Sequence, residues 1–336
     1  MASWTLLSWL RPFARRVKPL AFGCPLLVTI FLLVPSSAWA WGCQGHQLVA
    51  LIAEKHLTPH ARSMAEQILR DGPIDPNLKR FCKDAPADAL ADASTWADDF
   101  RTAHPETGPW HFVDIPRGPS KYDIAKVCAE QKGCITQAIR DQLAVLQSPA
   151  ATSQEKGDAL RYVIHFVGDL HQPLHATTDN DMGGNCVPLT FVGDAPQLRN
   201  PDTEAYAPNL HGVWDFGILE RMTEGQTMLQ AAEELDQSFA PQASQWLRSR
   251  PQIEQWAGES HQLADTAVYG ELPVPVPLEA PQPVKTCADD NHVAARRPKL
   301  NEQLGQPYQA AAAPVVRQQI AKAGVRLASL LNQLWP

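Results

Sequence analysis

A chain of 336 residues, 44% of them hydrophobic, is long enough to bury a sizeable core in one or two domains. Its 29 Lys and Arg stand against 36 Asp and Glu, which excludes binding of polyanions by a basic surface. A nucleic-acid partner would need positive charge from another source, and bound metal ions are the obvious one.

The imbalance deepens once the first forty residues are set aside. Arg11, Arg15, Arg16 and Lys18 form a basic start, Leu20 to Val34 an apolar run, and Ala38-Trp39-Ala40 a small-residue cleavage site. This is the pattern of a secretory signal, residues 1–40, cut after Ala40. The apolar run is interrupted by Gly23 and Pro25 and is shorter than the ~20 residues of a membrane span, so no stable membrane association is expected after the cut. The signal holds 4 of the 29 basic residues and no acid, leaving 25 against 36, a net charge of −11. Of the seven cysteines, Cys24 leaves with the signal. The remaining six, Cys43, Cys82, Cys128, Cys134, Cys186 and Cys287, are an even set in an exported chain, which favours disulfides. Cys128 and Cys134 are close enough for a local bridge, and the other four leave three pairings open. The absence of any Asn-x-Ser/Thr sequon fits a periplasmic or secreted bacterial protein.

In chain order the mature part, 41–336, reads as one mostly helical domain. Leu48, Leu51, Ile52 and Leu57 repeat at helical spacing over Gly45 to Leu57. Thr58-Pro59 caps a second helix running to about Arg70. Pro86 opens an Ala-rich helix through Trp96 and Phe100. His111 to Ile115 looks extended before Pro116. Thr152-Ser153-Gln154-Glu155 is a capping box for a long helix through Val167. Val187 to Val192 suits a short ribbon. Further helices are expected over Leu210–Met222, Thr227–Arg248, Gln252–Tyr269 and Ala310–Leu334. The Pro-rich segment 272–304 reads as an irregular surface loop.

The chemistry concentrates in His165-Phe-Val-Gly-Asp169-Leu-His171-Gln-Pro-Leu-His175. His165 and Asp169, four apart, share one helix face. Pro173 ends the helix and frees His175 to approach from the next turn. His211 and Asp215 repeat the same spacing. Imidazole nitrogen plus carboxylate oxygen suits zinc, and burying so many polar groups is costly unless something satisfies them. A lone His/Asp pair is ordinarily a hydrogen bond; two pairs with a dense His run point to metal. Asp98, late in an apolar helix, and His111, between aromatics, gain weight beside them. His171 faces away and reads as structural, as do His56, His60, His104, His261 and His292. After the cut, Trp41 offers a free α-amine and its own carbonyl as a chelate, with His46 five residues on and Gly42 and Gly45 permitting close backbone approach.

In these motifs the chain resembles the zinc-dependent type I nucleases of fungi, plants and bacteria, the mung-bean-nuclease-like family. The matching pieces are Trp41 to His46, Trp96-Ala-Asp98, Trp110 to Asp114, His165 to His175, Asp181 to Asn185, Leu210 to Asp215 and Ala323 to Asn332, in the family's order. The resemblance implies an all-α fold, shared with zinc-dependent phospholipase C, with a trinuclear zinc cleft. It assigns Asp98, His111, His165 and Asp169 to one zinc and His175, His211 and Asp215 to a second. Trp41 and His46 would hold the third, with Asp169 bridging to it. Asp98 would also orient or deprotonate the attacking water. The expected substrates are single-stranded DNA and RNA, and 3′-nucleotides, cut by a monomer to 5′-phosphate products. Phe112 would stack the base, with Asp114 and Asn185 at its edge and Gly183-Gly184 allowing close approach. The segment Pro116–Lys126 and the Pro-rich loop do not align with a further phosphate or base site.

Two other readings compete. Zinc phospholipases C share the fold and the N-terminal Trp ligand, but close the second site with Glu where this chain has Asp215. A non-catalytic exported zinc carrier would have closed sites, whereas His175, His211 and Asp215 leave a position open.

Overall fold

The computed structural model describes residues 41–82, 88–118, 121–131, 133–276, 278, 286–288 and 303–336. The expected signal segment 1–40, Pro86, His292 and most of the 272–304 loop lie outside them.

Three helices form the centre: α1 (Gly42–His56), α7 (Ser153–Leu170) and the last helix, α13 (Gln306–Leu334). Gly45 to Ala53, Ala159 to Leu170 and Ala323 to Leu331 are each buried without interruption, so these helices are covered all round rather than on one stripe. α1 packs along α13 and also touches α7. A helix enclosed in this way can carry polar side chains inward only if they are satisfied there, and three of the ligand-type residues, His46, His165 and Asp169, sit on two of these stretches.

The other helices wrap this centre. α2 (Pro59–Asp71) begins as expected, with Thr58 accepting from the Ala61 amide at 3.1 Å, and packs on α7. The Ala-rich helix is two: α3 (Ala89–Ala93), capped by Asp88, and α4 (Trp96–Ala103), separated at Ser94 and Thr95. α5 (Ile124–Glu130) and α6 (Ile135–Gln147) were not expected; a Cys128–Cys134 disulfide joins them, and α6 packs on α7. The capping box of α7 is present, with the Thr152 amide donating to Glu155 at 2.7 Å and the Glu155 amide donating to Thr152 at 3.2 Å.

The helix expected from Leu210 to Met222 holds as α8 (Leu210–Gly212), a π-helical turn (Val213–Gly217) and α9 (Ile218–Met222). The one expected from Thr227 breaks at Phe239 into α10 (Met228–Ser238) and α11 (Ala240–Arg248), because Pro241 fits only the first turn of a new helix. α12 (Ile253–Leu263) runs into a second π-turn (Ala264–Tyr269).

Strands are minor. β1 (Thr190–Phe191), within the expected ribbon, pairs in parallel with β4 (Gln303–Leu304), and β2 (Gln197–Asn200) forms a hairpin with β3 (Ala205–Ala207). His111 itself ends a 3-10 turn (Pro105–His111); the extended stretch starts only at Phe112. It runs beside residues 175–178, with the Val113 amide donating to the His175 carbonyl at 2.8 Å and that of Thr178 to Ile115 at 2.9 Å. That alignment brings His111 next to His175.

Two further disulfides, Cys43–Cys82 and Cys186–Cys287, choose one of the three pairings left open by the sequence. Three bridges belong to an oxidising compartment. Among the described residues, no helix is long and apolar enough to cross a membrane.

Candidate metal centre

Three groups of buried side chains bring nitrogen and oxygen atoms together at ligand spacing: His46, His165 and Asp169; Asp98, His111 and His165; and His175, His211 and Asp215. Every side-chain ligand expected from the sequence is in one of them. Asp169 joins the first two. Its Oδ1 lies 3.2 Å from His46 Nε2, while its Oδ2 lies 3.0 Å from His111 Nδ1 and 3.2 Å from His165 Nε2. Asp98 Oδ1 stands 3.8 Å from both of those imidazoles and 3.0 Å from Arg101.

The local structure explains how each ring is aimed. The break between α3 and α4 leaves the Ser94 carbonyl free to accept from His165 Nδ1–H at 2.7 Å, which turns the Nε2 lone pair inward. His175 Nδ1–H donates to the His111 carbonyl at 2.9 Å and His211 Nδ1–H to the Gly183 carbonyl at 2.7 Å. Gly183, at φ +59°, presents that carbonyl in a conformation unfavourable to L residues, and a Cβ there would lie 2.5 Å from the Leu174 carbonyl oxygen. Gln172 donates to Asp215 Oδ1 at 2.6 Å, leaving Oδ2 3.1 Å from His211 Nε2. Backbone carbonyls and amides that fix imidazole and carboxylate orientation are the usual surroundings of a metal site.

Trp41 is fully buried and its indole donates to the Gly168 carbonyl at 2.8 Å, which seats the start of α1 against the turn before Asp169. His46 stacks on His165 with ring centroids 3.8 Å apart. A Cβ on Gly168 would come within 2.9 Å of His46 Nδ1, so this glycine makes room for the ring.

The donor set fits a cation. His175 and His211 both commit Nδ1–H to carbonyls, yet their Nε2 atoms face each other at 3.2 Å. Two lone pairs at that distance repel unless a proton or a metal ion lies between them. His46 Nε2, Asp169 Oδ1 and Asp215 Oδ2 are buried without a well-formed hydrogen bond, atoms that a metal would satisfy. Without metal, protons do part of this work. Burial lowers the pKa of His165, but Asp169 and Asp98 outweigh it and raise it to about 9. Burial and Arg101 take His111 down to about 4. Asp169 is pushed up by burial but held well below the usual carboxylate range by His165 and the imidazoles bonded to it.

The residues expected at the base are less uniform. Phe112 and Asp114 are half-buried. Burial, then the charge of Asp181, raise Asp114 to about 7, so at neutral pH its carboxyl can donate as well as accept a proton. Asp181 heads the loop carrying Gly183 and Asn185, and Asn185 spends its amide on the Met182 carbonyl at 2.8 Å. Gly183 serves His211 directly, a role that the sequence reading did not foresee.

The other described histidines lie outside the ligand groups. His171 donates to the Val167 carbonyl at 2.8 Å and accepts from Arg326 at 3.0 Å. His56 pairs with Asp236, His104 with Glu106, and His261 with the Ala176 carbonyl; His60 is exposed. The roles of Ser94, Gln172 and Arg326 were missed. Of these only Gln172, inside the His run, carried a local signal.

Comparison with known proteins agrees with this geometry. Nuclease PA3 of a Penicillium species and nuclease P1 of Penicillium citrinum are each 27% identical over 315 residues, covering 88% of this chain and 97% of theirs. Endonuclease 2 of Arabidopsis thaliana is 25% identical over 321 residues, 92% of this chain and 96% of its own. The family described as S1/P1 nuclease matches residues 41–336, and the chain therefore belongs to the S1/P1 nuclease family, as a hydrolase of ester bonds.

Proposed function

We propose that this chain is an exported, monomeric, zinc-dependent phosphodiesterase that cuts single-stranded DNA and RNA to 5′-phosphate products and also removes phosphate from 3′-nucleotides. The observation that carries the reading is the division of Asp169, one oxygen toward His46 and the other toward His111 and His165, an arrangement that would let one carboxylate serve two ions. Asp98, His111, His165 and Asp169 would hold one zinc, His175, His211 and Asp215 a second, and His46 with the Trp41 amine and carbonyl the third. Bound zinc lowers the pKa of water, orients the phosphate and stabilises the attacking and leaving oxygens.

The chain's own residues do the rest. Asp98 Oδ1, buried, 3.0 Å from Arg101 and 3.8 Å from His111 and His165, is placed to orient or take a proton from the attacking water. Phe112 offers a stacking face that any unpaired base can occupy, and paired bases cannot. The localised metal charge draws a polyanion to a chain whose overall balance is acidic. Export adds a further condition: cleavage after Ala40 creates the Trp41 amine, so the precursor lacks one ligand.

The test combines zinc analysis by mass spectrometry with cleavage of circular single-stranded DNA, its duplex form, RNA and phosphatidylcholine. We expect three zinc ions per chain, cleavage of the single strands, and 5′-phosphate ends. Equal cutting of duplex would remove the stacking argument. Hydrolysis of the lipid alone would establish the phospholipase reading, and a zinc-loaded protein inert toward all four the carrier.

A further inference from the structure

From Gly72 to Cys82 the connection that follows α2 has no helix or strand, yet Arg80, Phe81 and Cys82 are fastened to two sides of the metal centre. Cys82 is bonded to Cys43, in the first turn of α1 and two residues from Trp41. Arg80 reaches the other side. Its Nε donates to Asp99 Oδ2, and its Nη2 donates to the Asp92 carbonyl at 2.9 Å and to Thr95 Oγ1 at 3.0 Å. The Phe81 amide donates to Asp99 Oδ1 at 2.9 Å.

Both attachments fall where the local backbone does not hold itself. α1 starts with two successive residues at positive φ, Trp41 at +44° and Gly42 at +50°, and no side chain caps it. Such a start persists only where the surrounding structure fixes it, and Trp41 is the residue proposed to offer its amine to zinc. On the other side, Asp92 and Thr95 flank the break between α3 and α4, where the Ser94 carbonyl aims His165. Asp99 is buried beside Asp98 in the first turn of α4, and a buried carboxylate needs a partner. A guanidinium fork spans these three acceptors, where the single nitrogen of a lysine does not.

We propose that Arg80 and the Cys43–Cys82 bridge make this segment a positioning brace for the metal centre. Arg80 holds the α3–α4 break and the first turn of α4, and through them His165 and Asp98. The bridge ties the first turn of α1, and with it the Trp41 amine, to the same segment. The inference rests on the zinc reading of the site and adds to it residues outside the ligand groups.

The test measures the affinity of each zinc ion by competition with a chelator, the thermal midpoint of the metal-free protein, and kcat against free zinc. Arg80→Lys keeps a charge beside Asp99 but loses the fork. R80Q/D99N removes the buried ion pair, and C43S/C82S removes the bridge without leaving a free thiol. Losing a group that orients a ligand weakens metal binding about 10- to 100-fold. Each variant therefore weakens zinc about tenfold, and activity returns as free zinc is raised about tenfold. The two ends of the brace act on different ions. In a protein with one extra residue before Trp41, C43S/C82S weakens zinc no further, whereas the Arg80 variants still do. Additive weakening by C43S/C82S there detaches the bridge from the Trp41 amine and overturns that end of the brace. A lowered thermal midpoint with zinc affinity unchanged makes the segment a tie for folding alone and overturns the brace. Equal weakening of all three ions in every variant marks general loosening and overturns it too. Wild-type protein that binds no zinc overturns the zinc reading itself. Arg80→Lys, which keeps the charge balance, decides the Arg80 end even where R80Q/D99N does not fold.

Discussion

The ligand group around Asp169 and the group of His175, His211 and Asp215 are built by opposite means. The first stands mainly on the enclosed helices α1 and α7 and on α4, with His111 at the end of a 3-10 turn, and its members constrain one another: His46 stacks on His165, and one carboxylate faces three imidazoles. The second stands on a 3-10 turn, the one-turn helix α8 and a π-turn, and backbone carbonyls, one of them from a glycine loop, and Gln172 hold its members. Helix packing fixes one group and irregular backbone the other. The second can therefore face a cleft, because loops bring their polar groups to the surface and enclosed helices do not. Variation should accordingly be tolerated differently: the first group fails as a unit, and the second fails one contact at a time.

Asp169→Asn is the harshest way to break that contrast. It removes charge from both ions that the carboxylate is proposed to serve, so we expect loss of at least one zinc and a fall in kcat/KM of at least ~10³-fold, in line with the cost of removing metal-borne charge stabilisation. Zinc analysis and kinetics check it; retention of three ions with near-normal activity would mean that the groups are independent. One extra residue before Trp41 comes next. It blocks the α-amine while leaving His46 and Asp169 in place, and should remove one zinc and about 10²-fold of activity. Equal zinc and equal cleavage by extended and trimmed forms would exclude the amine as a ligand. Gly168→Ala sharpens the same side: its Cβ would press within 2.9 Å of His46 Nδ1, and zinc should weaken about tenfold, the low end of losses from misoriented ligands.

How far each group could be read in advance follows from the same difference. His165 and Asp169 were legible because a spacing of four on a capped helix has one geometric meaning. The His211 and Asp215 spacing looked identical, yet it spans a π-turn, which no residue pattern announced. The helix break at Ser94, the reach of Gln172 to Asp215 across 43 positions and the Cys43–Cys82 and Cys186–Cys287 pairings arise from tertiary packing, which local sequence does not encode. Gly168 did carry a signal. A glycine inside a helix costs roughly 1 kcal/mol against alanine, so its presence marks a close approach, here by His46.

The mildest perturbation uses protons instead of side chains. Because Asp169 and Asp98 raise His165 to about 9 against burial, metal-free protein at pH 7.5 carries a proton there that zinc must displace. Zinc affinity of the Asp169 group should rise with pH up to about 9. Titration calorimetry in buffers of different ionisation enthalpy should register net proton release. The sign for folding is opposite. A histidine raised above its unfolded value near 6.5 contributes stability that is complete below pH 6.5 and lost as pH rises through about 9, so this residue destabilises the metal-free protein in alkali while zinc gains hold. His175 differs, because burial lowers it and leaves it neutral at pH 7.5. Zinc entering that group should displace no proton from His175, so any release there comes from His211, which, burial notwithstanding, Asp215 raises; zinc affinity of the Asp169 group that stayed flat from pH 7 to about 9 would show that His165 carries no proton for the metal to displace.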